Sequence, residues 1–314
     1  MPIGQRYVKI GTAGWNYDDW VGPFYPKRAG RGFSRLKFYS HFFDCVEINS
    51  TYYRHFPPVV AEKWLKEVEG NPEFEFIVKL FKNFTHGARE INSEFYNDKQ
   101  AVKNFILPFS ERKKLAGLLI QFSEFFPATD KSKSYLSFLI EEFSDIKIFL
   151  ELRHNSWYRY GNKEFLNSLN ASVVAVDQPV LKNMIGFTTE IVGETGYFRL
   201  HGRNYEKWKE SREALTSGVT FDDLQRNERY NYLYSNEELD EIEKKIRTVK
   251  ERCERTYVIL NNHPLGKAAA NALELIRRLK GNEKVKIPST ILKFFPELGK
   301  FGEKVEVDDN DSFF

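Results

Sequence analysis

Short apolar runs recur along the chain, separated by longer stretches whose apolar positions return at helical spacing. The runs are YVKIGTAG (7–14), CVEINS (45–50), FEFIVKLF (74–81), LAGLLIQF (115–122), KIFLELR (147–153), ASVVAVD (171–177), YFRLHG (197–202) and TYVILNN (256–262). They read as strands. Between them RLKFYSHFF (35–43), PPVVAEKWLKEVEG (57–70), AVKNFILPFSERKKL (101–115), KSYLSFLIEEF (133–143), NKEFLNSL (162–169), NEELDEIEKKIRTVKERC (236–253) and GKAAANALELIRRL (266–279) read as helices. In the second of these, prolines open the helix and Gly70 closes it. Strands alternating with helices predict parallel strands with crossover connections. About eight such units predict an α/β architecture, a (β/α)8 TIM barrel over 1–280 with a tail over 281–314. The competing architecture is an open doubly wound sheet, but no glycine-rich dinucleotide turn follows the first strand.

The fifth strand carries an oddity. In FLELRHNSWY (149–158), alternation puts Glu151 and Arg153 on one face and Leu150 and Leu152 on the other. Burying an ion costs several kcal/mol unless a partner offsets it. The other strand ends repeat the theme with Glu47 and Asn49, Lys79, Gln121, Asp177, Arg199 and His201, and Asn261, Asn262 and His263. In a barrel these ends converge on one mouth, so together they predict an active or binding site. The competing reading is a self-neutralising layer, with Glu47, Glu151 and Asp177 against Lys79, Arg153 and Arg199.

The set points to an anionic ligand. Lys79, Arg153 and Arg199 suit a phosphate or carboxylate. Glu47, Glu151, Asp177 and His201 are the candidates for moving protons. The same four side chains are chemically adequate ligands for a divalent metal such as Zn or Mn, although three nearby cations oppose a further positive ion. A glycosidase would instead set two carboxylates across a sugar. Aromatic residues crowd the same loops: WNYDDW (15–20) with Trp15, then Tyr52 and Tyr53, SWY (156–158) with Trp157, and Trp208, Tyr230 and Tyr232. They serve either to stack on a sugar or base or to pack the loops.

Residues 203–233 make an unusually long connection for such a barrel. Its cations (Arg203, Lys207, Lys209, Arg212, Arg226, Arg229) are matched by its acids (Glu206, Glu210, Glu213, Asp222, Asp223, Glu228), so it reads as a neutral flap over the mouth.

Composition narrows the class further. The net charge is +3, too small to announce a nucleic-acid binder. The stretch 301–314 is acidic, which leaves the rest mildly basic. Aromatics reach 16%, in keeping with a large core and with stacking surfaces. Cys45 and Cys253 form neither a disulfide framework nor a metal-ligand spacing. The first residues, MPIGQRYVKIG, lack an apolar signal core, and no apolar run approaches membrane-span length. A soluble cytoplasmic protein with no membrane partner is expected.

Several ordered motifs carry a resemblance. IGTAGWNYDDWVGPFYP (10–26), FDCVEINSTYYR (43–54), LLIQF (118–122), ELRHNSWY (151–158), VAVDQP (174–179), YFRLHG (197–202), YNYLYSNEEL (230–239) and VILNNH (258–263) resemble the domain-of-unknown-function-72 family, the YecE-like proteins. The resemblance implies a TIM barrel related in shape to xylose isomerase-like and endonuclease IV-like barrels. It implies no activity. Endonuclease IV-like barrels use more histidine ligands than these motifs contain.

In the tail, PSTILKFF (288–295) resembles a sliding-clamp-binding peptide, with Ile291, Phe294 and Phe295 as anchors on one side of a helical turn. Pro288 stands where such peptides prefer glutamine. Packing of the tail on the barrel is the alternative. Three functions are therefore carried forward. The first is a hydrolase or lyase for a phosphate-bearing substrate, nucleic acid included, tied to DNA repair if the tail binds a clamp. The second is a carbohydrate-active barrel, a glycosidase or sugar isomerase. The third is a barrel that binds nucleic acid or protein without chemistry.

Overall fold

Each expected apolar run forms a strand, and all of the barrel ladders are parallel. The structure is a computed structural model that describes residues 7–87, 90–190, 193–218, 227–281 and 284–307. The barrel strands are β1 (Tyr7–Ala13), β2 (Cys45–Ile48), β3 (Glu75–Lys79), β4 (Leu115–Phe122), β5 (Ile148–Leu152), β6 (Ser172–Val173), β7 (Ala175–Asp177), β8 (Thr195–Leu200) and β9 (Arg255–Leu260). The hydrogen-bonded order β6-β5-β4-β3-β2-β1-β9-β8-β7 makes a nearly closed barrel. One expected strand is split: β6 pairs with β5 and β7 pairs with β8. The Val174 amide, at the break, donates to the Leu150 carbonyl at 2.9 Å. The two short segments therefore act as the sixth stave.

Around the strands lie α1 (Arg35–Ser40), α2 (Pro58–Glu67), α3 (Ser93–Glu111), α4 (Asp130–Glu142), α5 (Lys163–Ser168), α6 (Tyr205–Ser217), α7 (Asn236–Lys250) and α8 (Lys267–Lys280). Local chemistry sets their ends. Pro58 occupies the first turn of α2, where its missing amide proton is not needed. That helix stops at Glu67, short of the expected Gly70. The third helix begins at Ser93, earlier than the apolar spacing indicates, because the Asn92 side chain accepts from the Phe95 amide. Ser235 and Glu238 form a reciprocal capping box on α7.

Strand alternation divides the interior into two layers. Ile148, Leu150 and Leu152 face the helices in the main hydrophobic cluster. Phe149 faces inward with Cys45, Ile77, Leu119, Val176, Tyr197, Tyr257 and Ile259, and this group plugs the barrel. Glu151 and Arg153 share the parity of Phe149, so they stand above that plug at the C-terminal mouth. The first two strands approach closely at Gly11, where a Cβ would lie 1.9 Å from the Cys45 carbonyl oxygen.

The connection expected as a flap contains α6, whose buried side is Trp208, Ser211 and Ala214 and whose end is Gly218 in the left-handed region. Asp222, Asp223 and Arg226 lie outside the described residues. The tail packs on the barrel: β10 (Val285–Pro288) and β11 (Gly302–Val305) pair in parallel. Ile291, Phe295 and Leu298 join the main core cluster, while Phe294 is about half exposed. Thr290 ties this segment down by donating to the Phe24 carbonyl at 2.6 Å. No helix among the described residues is long and apolar enough to cross a membrane.

Candidate active site

Four inward-facing charges meet above the hydrophobic plug, one from β2, two from β5 and its end, and one from β8. Arg199 forks onto Glu47, with Nε 2.9 Å from Oε2 and Nη2 2.7 Å from Oε1. Its Nη1 donates to Glu151 and, at 3.2 Å, to Gln121 Oε1. The other Glu151 oxygen accepts from Arg153 Nε at 2.5 Å. Tyr197, two residues before Arg199 and on the same face, donates to Glu47 at 2.8 Å. The result is a chain Glu47–Arg199–Glu151–Arg153 in which both carboxylates and Arg199 are essentially out of contact with solvent. Burial by itself would raise the Glu151 carboxyl, but Arg153 and Arg199 override it and bring it down to about 2. Glu151 is therefore held ionised.

His201 completes this chain. Its Nε2 lies 3.1 Å from Arg153 Nη2 and its Nδ1 lies 2.8 Å from the Asn261 amide group. Arginine has only donors, so Nε2 must accept; the ring proton then sits on Nδ1, which requires the Asn261 amide to turn its oxygen, in place of the Nδ2 that lies there, toward the ring. Burial, followed by the charges of Arg153, Arg199 and Lys79, pushes the imidazolium form well below the ordinary histidine range. His201 is a neutral acceptor that steadies Arg153, which differs from the proton-moving role expected of it from the sequence.

Lys79 is the charge left over. It stands at the end of β3 with Nζ 4.4 Å from the Tyr52 ring centroid. Among the described residues Nζ has no hydrogen bond or ion pair, because the nearby carboxylate oxygens are taken by the arginine forks. Burial, and next the Arg199 charge, bring it down from 10.5 to about 7. The three-against-three layer considered from the sequence thus neutralises Glu47 and Glu151 with Arg199 and Arg153, and leaves Lys79 out.

Above this layer opens a cleft of about 730 Å³. Its described walls include Tyr52, Lys79, Gln121, Arg153, Arg229 and Tyr230, together with Lys82 and the carboxylate Glu124. Helix α6 closes one side through Ser211, Ala214 and Leu215. The Arg229 guanidinium lies over the rings of Trp208 and Tyr230 at 5.1 and 4.7 Å, and its Nε is buried without a partner among the described residues. Tyr53 and Phe125 are exposed at the rim.

Other expected site residues lie elsewhere. Asp177 has the opposite parity to the inward Val174 and Val176, so it faces the helix layer. There it accepts from Arg203 Nη2 at 2.9 Å and from the Tyr234 hydroxyl at 2.6 Å. Asn262 also faces outward, donating to the Tyr232 carbonyl and to Asn271, both at 2.9 Å. Trp157 is fully buried, with its indole N–H on the Phe126 carbonyl at 2.7 Å, and offers no face to the mouth. Trp15 packs edge-on against Trp64 and, with Asn49, lines a separate cleft of about 520 Å³ between the first two strand ends and helices α1 and α2. His263 stacks on Tyr17 at 4.4 Å, and its value falls to about 4 through burial and then the charge of Arg229.

The four side chains considered as metal ligands are otherwise engaged in this geometry. The Glu47 and Glu151 oxygens are held by arginine, both His201 nitrogens are engaged, and Asp177 points away. Among the described residues no group of three or more His, Cys, Asp or Glu is arranged to hold a metal ion. Cys45 and Cys253 are both buried, and neither is in a disulfide.

The family profile described as "Protein of unknown function DUF72" matches residues 9–292, which takes in all of the barrel strands except the first two residues of β1. The chain belongs to the DUF72 family. Its similarity to UPF0759 protein YunF of Bacillus subtilis (strain 168) is 29% identity over 283 residues, 87% of this chain and 94% of YunF. A DUF72 protein of Thermotoga maritima MSB8 has a similar structure, with a TM-score of 0.72 at 30% identity, covering 87% of this chain and 99% of that one. A DUF72 protein of Enterococcus faecalis V583 gives 0.73 at 26%, covering 87% and 96%. The resemblance read from the motifs is thus borne out, and so is the barrel.

Sequence reasoning missed Tyr197, Lys82 and Glu124 in this DUF72 mouth. For Tyr197 a signal was available, since it sits two residues before Arg199 on the same face. Lys82 opens a short 3-10 turn and Glu124 lies in a turn, both past the ends of their strands, where strand alternation carries no facing information.

Proposed function

We propose that this DUF72 protein is an enzyme, a lyase or hydrolase, that binds a small anionic substrate in the mouth cleft. The observation that carries the reading is the charge left after the buried pairs are formed. Glu47 and Glu151 are matched by Arg199 and Arg153, so among the described residues Lys79, Lys82 and Arg229 face the cleft against Glu124. A site with excess positive charge, low-dielectric walls and guanidinium donors suits a phosphate or carboxylate. In this reading Glu47 and Glu151 anchor the arginines and do not carry protons.

The same geometry weighs against a glycosidase, whose acid must keep its proton near neutral pH. Glu151, at about 2, does not. The clamp reading of 288–295 loses support as well. Ile291 and Phe295 would have to leave the core, at a cost of roughly 1.5–3 kcal/mol each. A nucleic-acid substrate has one specific observation in its favour, the exposed Tyr53 and Phe125 at a positively charged rim, which suit base stacking.

Thermal unfolding of the whole protein with inorganic phosphate, glucose or a single-stranded oligonucleotide tests these readings. Phosphate should raise the midpoint in the wild type and do so less in Arg229→Ala. Protection by glucose alone would overturn the anionic reading. Oligonucleotide affinity that falls steeply with salt would favour nucleic acid.

A further inference from the structure

Lys79 has the placement of a reacting group and no structural task. Its side chain rises from the end of β3 with the inward parity of Ile77, onto the wall of the mouth cleft. Several lysines of this protein find carboxylates, as Lys99 does with Glu142 at 2.5 Å and Lys103 with Asp145 at 2.8 Å. Lys79 stands within the field of two carboxylates and pairs with neither, since Glu47 and Glu151 are each gripped by guanidinium groups. Its ammonium is flanked by Arg199 and Arg153, which oppose its charge, and is covered by the Tyr52 ring. An amine so placed is readily found without its proton near neutral pH, and an unprotonated amine is a nucleophile.

We propose that Lys79 forms an imine with a carbonyl group of the substrate, so that the substrate carries both a carbonyl and an anionic group. This rests on the anionic-substrate reading above. The Nζ lone pair attacks the carbonyl carbon, and the carbonyl π pair moves to oxygen, which takes up a proton to give a carbinolamine. Expulsion of that oxygen as water leaves the C=N bond. The protonated imine then draws in an electron pair from the neighbouring carbon to give an enamine: either a C–H bond there gives up its proton to a base, or a C–C bond there breaks and the detached fragment leaves as a carbonyl compound, its hydroxyl proton going to the same base. Reprotonation and the return of one water release the product and restore the amine. No oxidant or reductant is consumed. Arg229 and Arg153 hold the anionic group beside Lys79. Glu124 is the carboxylate on the described wall of the cleft that can take the proton from the departing bond and return it. The cleft, at about 730 Å³, has room for a phosphorylated compound of metabolite size.

The experiment treats the whole protein at pH 7 with a slight excess of pyridoxal 5′-phosphate, a probe bearing both an aldehyde and a phosphate. Reduction with borohydride and peptide mass mapping follow. The expected result is one dominant reduced adduct on Lys79, diminished several-fold by inorganic phosphate. Adducts spread over exposed lysines, with Lys79 unmodified in folded protein, would overturn the proposal. Mapping the wild type makes the result independent of whether Lys79→Arg folds; where that variant folds it should lose the dominant adduct. Parallel arms with propionaldehyde and with phosphate alone separate the two readings. Phosphate protection without trapping at Lys79 overturns the imine and leaves the anionic site standing. Trapping of propionaldehyde at Lys79 without any phosphate effect supports the imine and removes the anionic site.

Discussion

Replacing Arg199 with methionine tests whether the mouth layer is built as described. The guanidinium makes two bonds to Glu47, one to Glu151 and one to Gln121. In Arg199→Met, Glu151 keeps Arg153, but Glu47 keeps only the Tyr197 hydroxyl, and both carboxylates stay buried. Breaking one buried ion pair by removing a partner costs about 3–5 kcal/mol, so a loss of about 4 kcal/mol at pH 7 is expected. For a chain of 314 residues the unfolding entropy is about 0.7 kcal/mol/K, which converts that loss to a fall of roughly 6 °C in Tm. The deficit should shrink as pH falls from 7 towards 5, because protonation relieves a carboxylate left without its cation. Glu151 of the wild type does not confuse this window. Its folded value of about 2 lies below the 4.5 of the free group, so its own contribution is present above pH 4.5 and disappears only as pH falls towards 2. Adding Glu47→Gln to Arg199→Met should recover part of the loss. The assay is urea unfolding of the two single variants and the double variant at pH 7 and pH 5. A loss below about 1 kcal/mol, or a double variant in which the two losses simply add, would refute the reasoning.

Lys79→Met should stabilise the protein at pH 6 by up to about 5 kcal/mol, because the folded value near 7 lies below the 10.5 of a free lysine. The penalty in the wild type is full below pH 7 and vanishes towards pH 10.5, so the gain should fade over that range in urea titrations; a gain independent of pH would contradict it. Ile291→Ala in the tail should cost about 2–5 kcal/mol in equilibrium unfolding, as a core truncation does, whereas an unfolding midpoint unmoved by it would mean the tail is not docked. Asp177→Asn should cost about 1–3 kcal/mol through its bonds to Arg203 and Tyr234 while phosphate still raises the melting midpoint. Loss of that phosphate effect in a folded Asp177→Asn protein would return Asp177 to the mouth.

Much of the candidate site was legible because facing in a strand is a local property. Glu47, Lys79, Gln121, Glu151, Arg153, Arg199 and His201 follow directly from alternation against apolar neighbours. Asp177 did not, because ASVVAVD is apolar on both faces and the inward parity of Val174 and Val176 cannot be told from the run itself. Of the adjacent pair Asn261 and Asn262 only one can face inward, and which one depends on the register of β9 against β8. Helix α6 was hidden because its charged residues blur a narrow apolar stripe at Trp208, Ser211 and Ala214, although Gly218 marks its end. In the tail the Ile291 and Phe295 pattern describes a side of a turn, and a side of a turn fits a core as well as a partner's groove.

The chain alone determined the succession of strands and helices, their parallel barrel and the family, since these depend on patterns a few residues long repeated in order. Only the tertiary structure decided which charges cancel. Glu47 and Arg199 are separated by 152 positions, and their pairing exists only because the barrel nearly closes. Coulomb interactions act through space and favour arginine's two-pronged grip on carboxylates, so the arginines claimed the acids and Lys79 was left with a charge that burial resists.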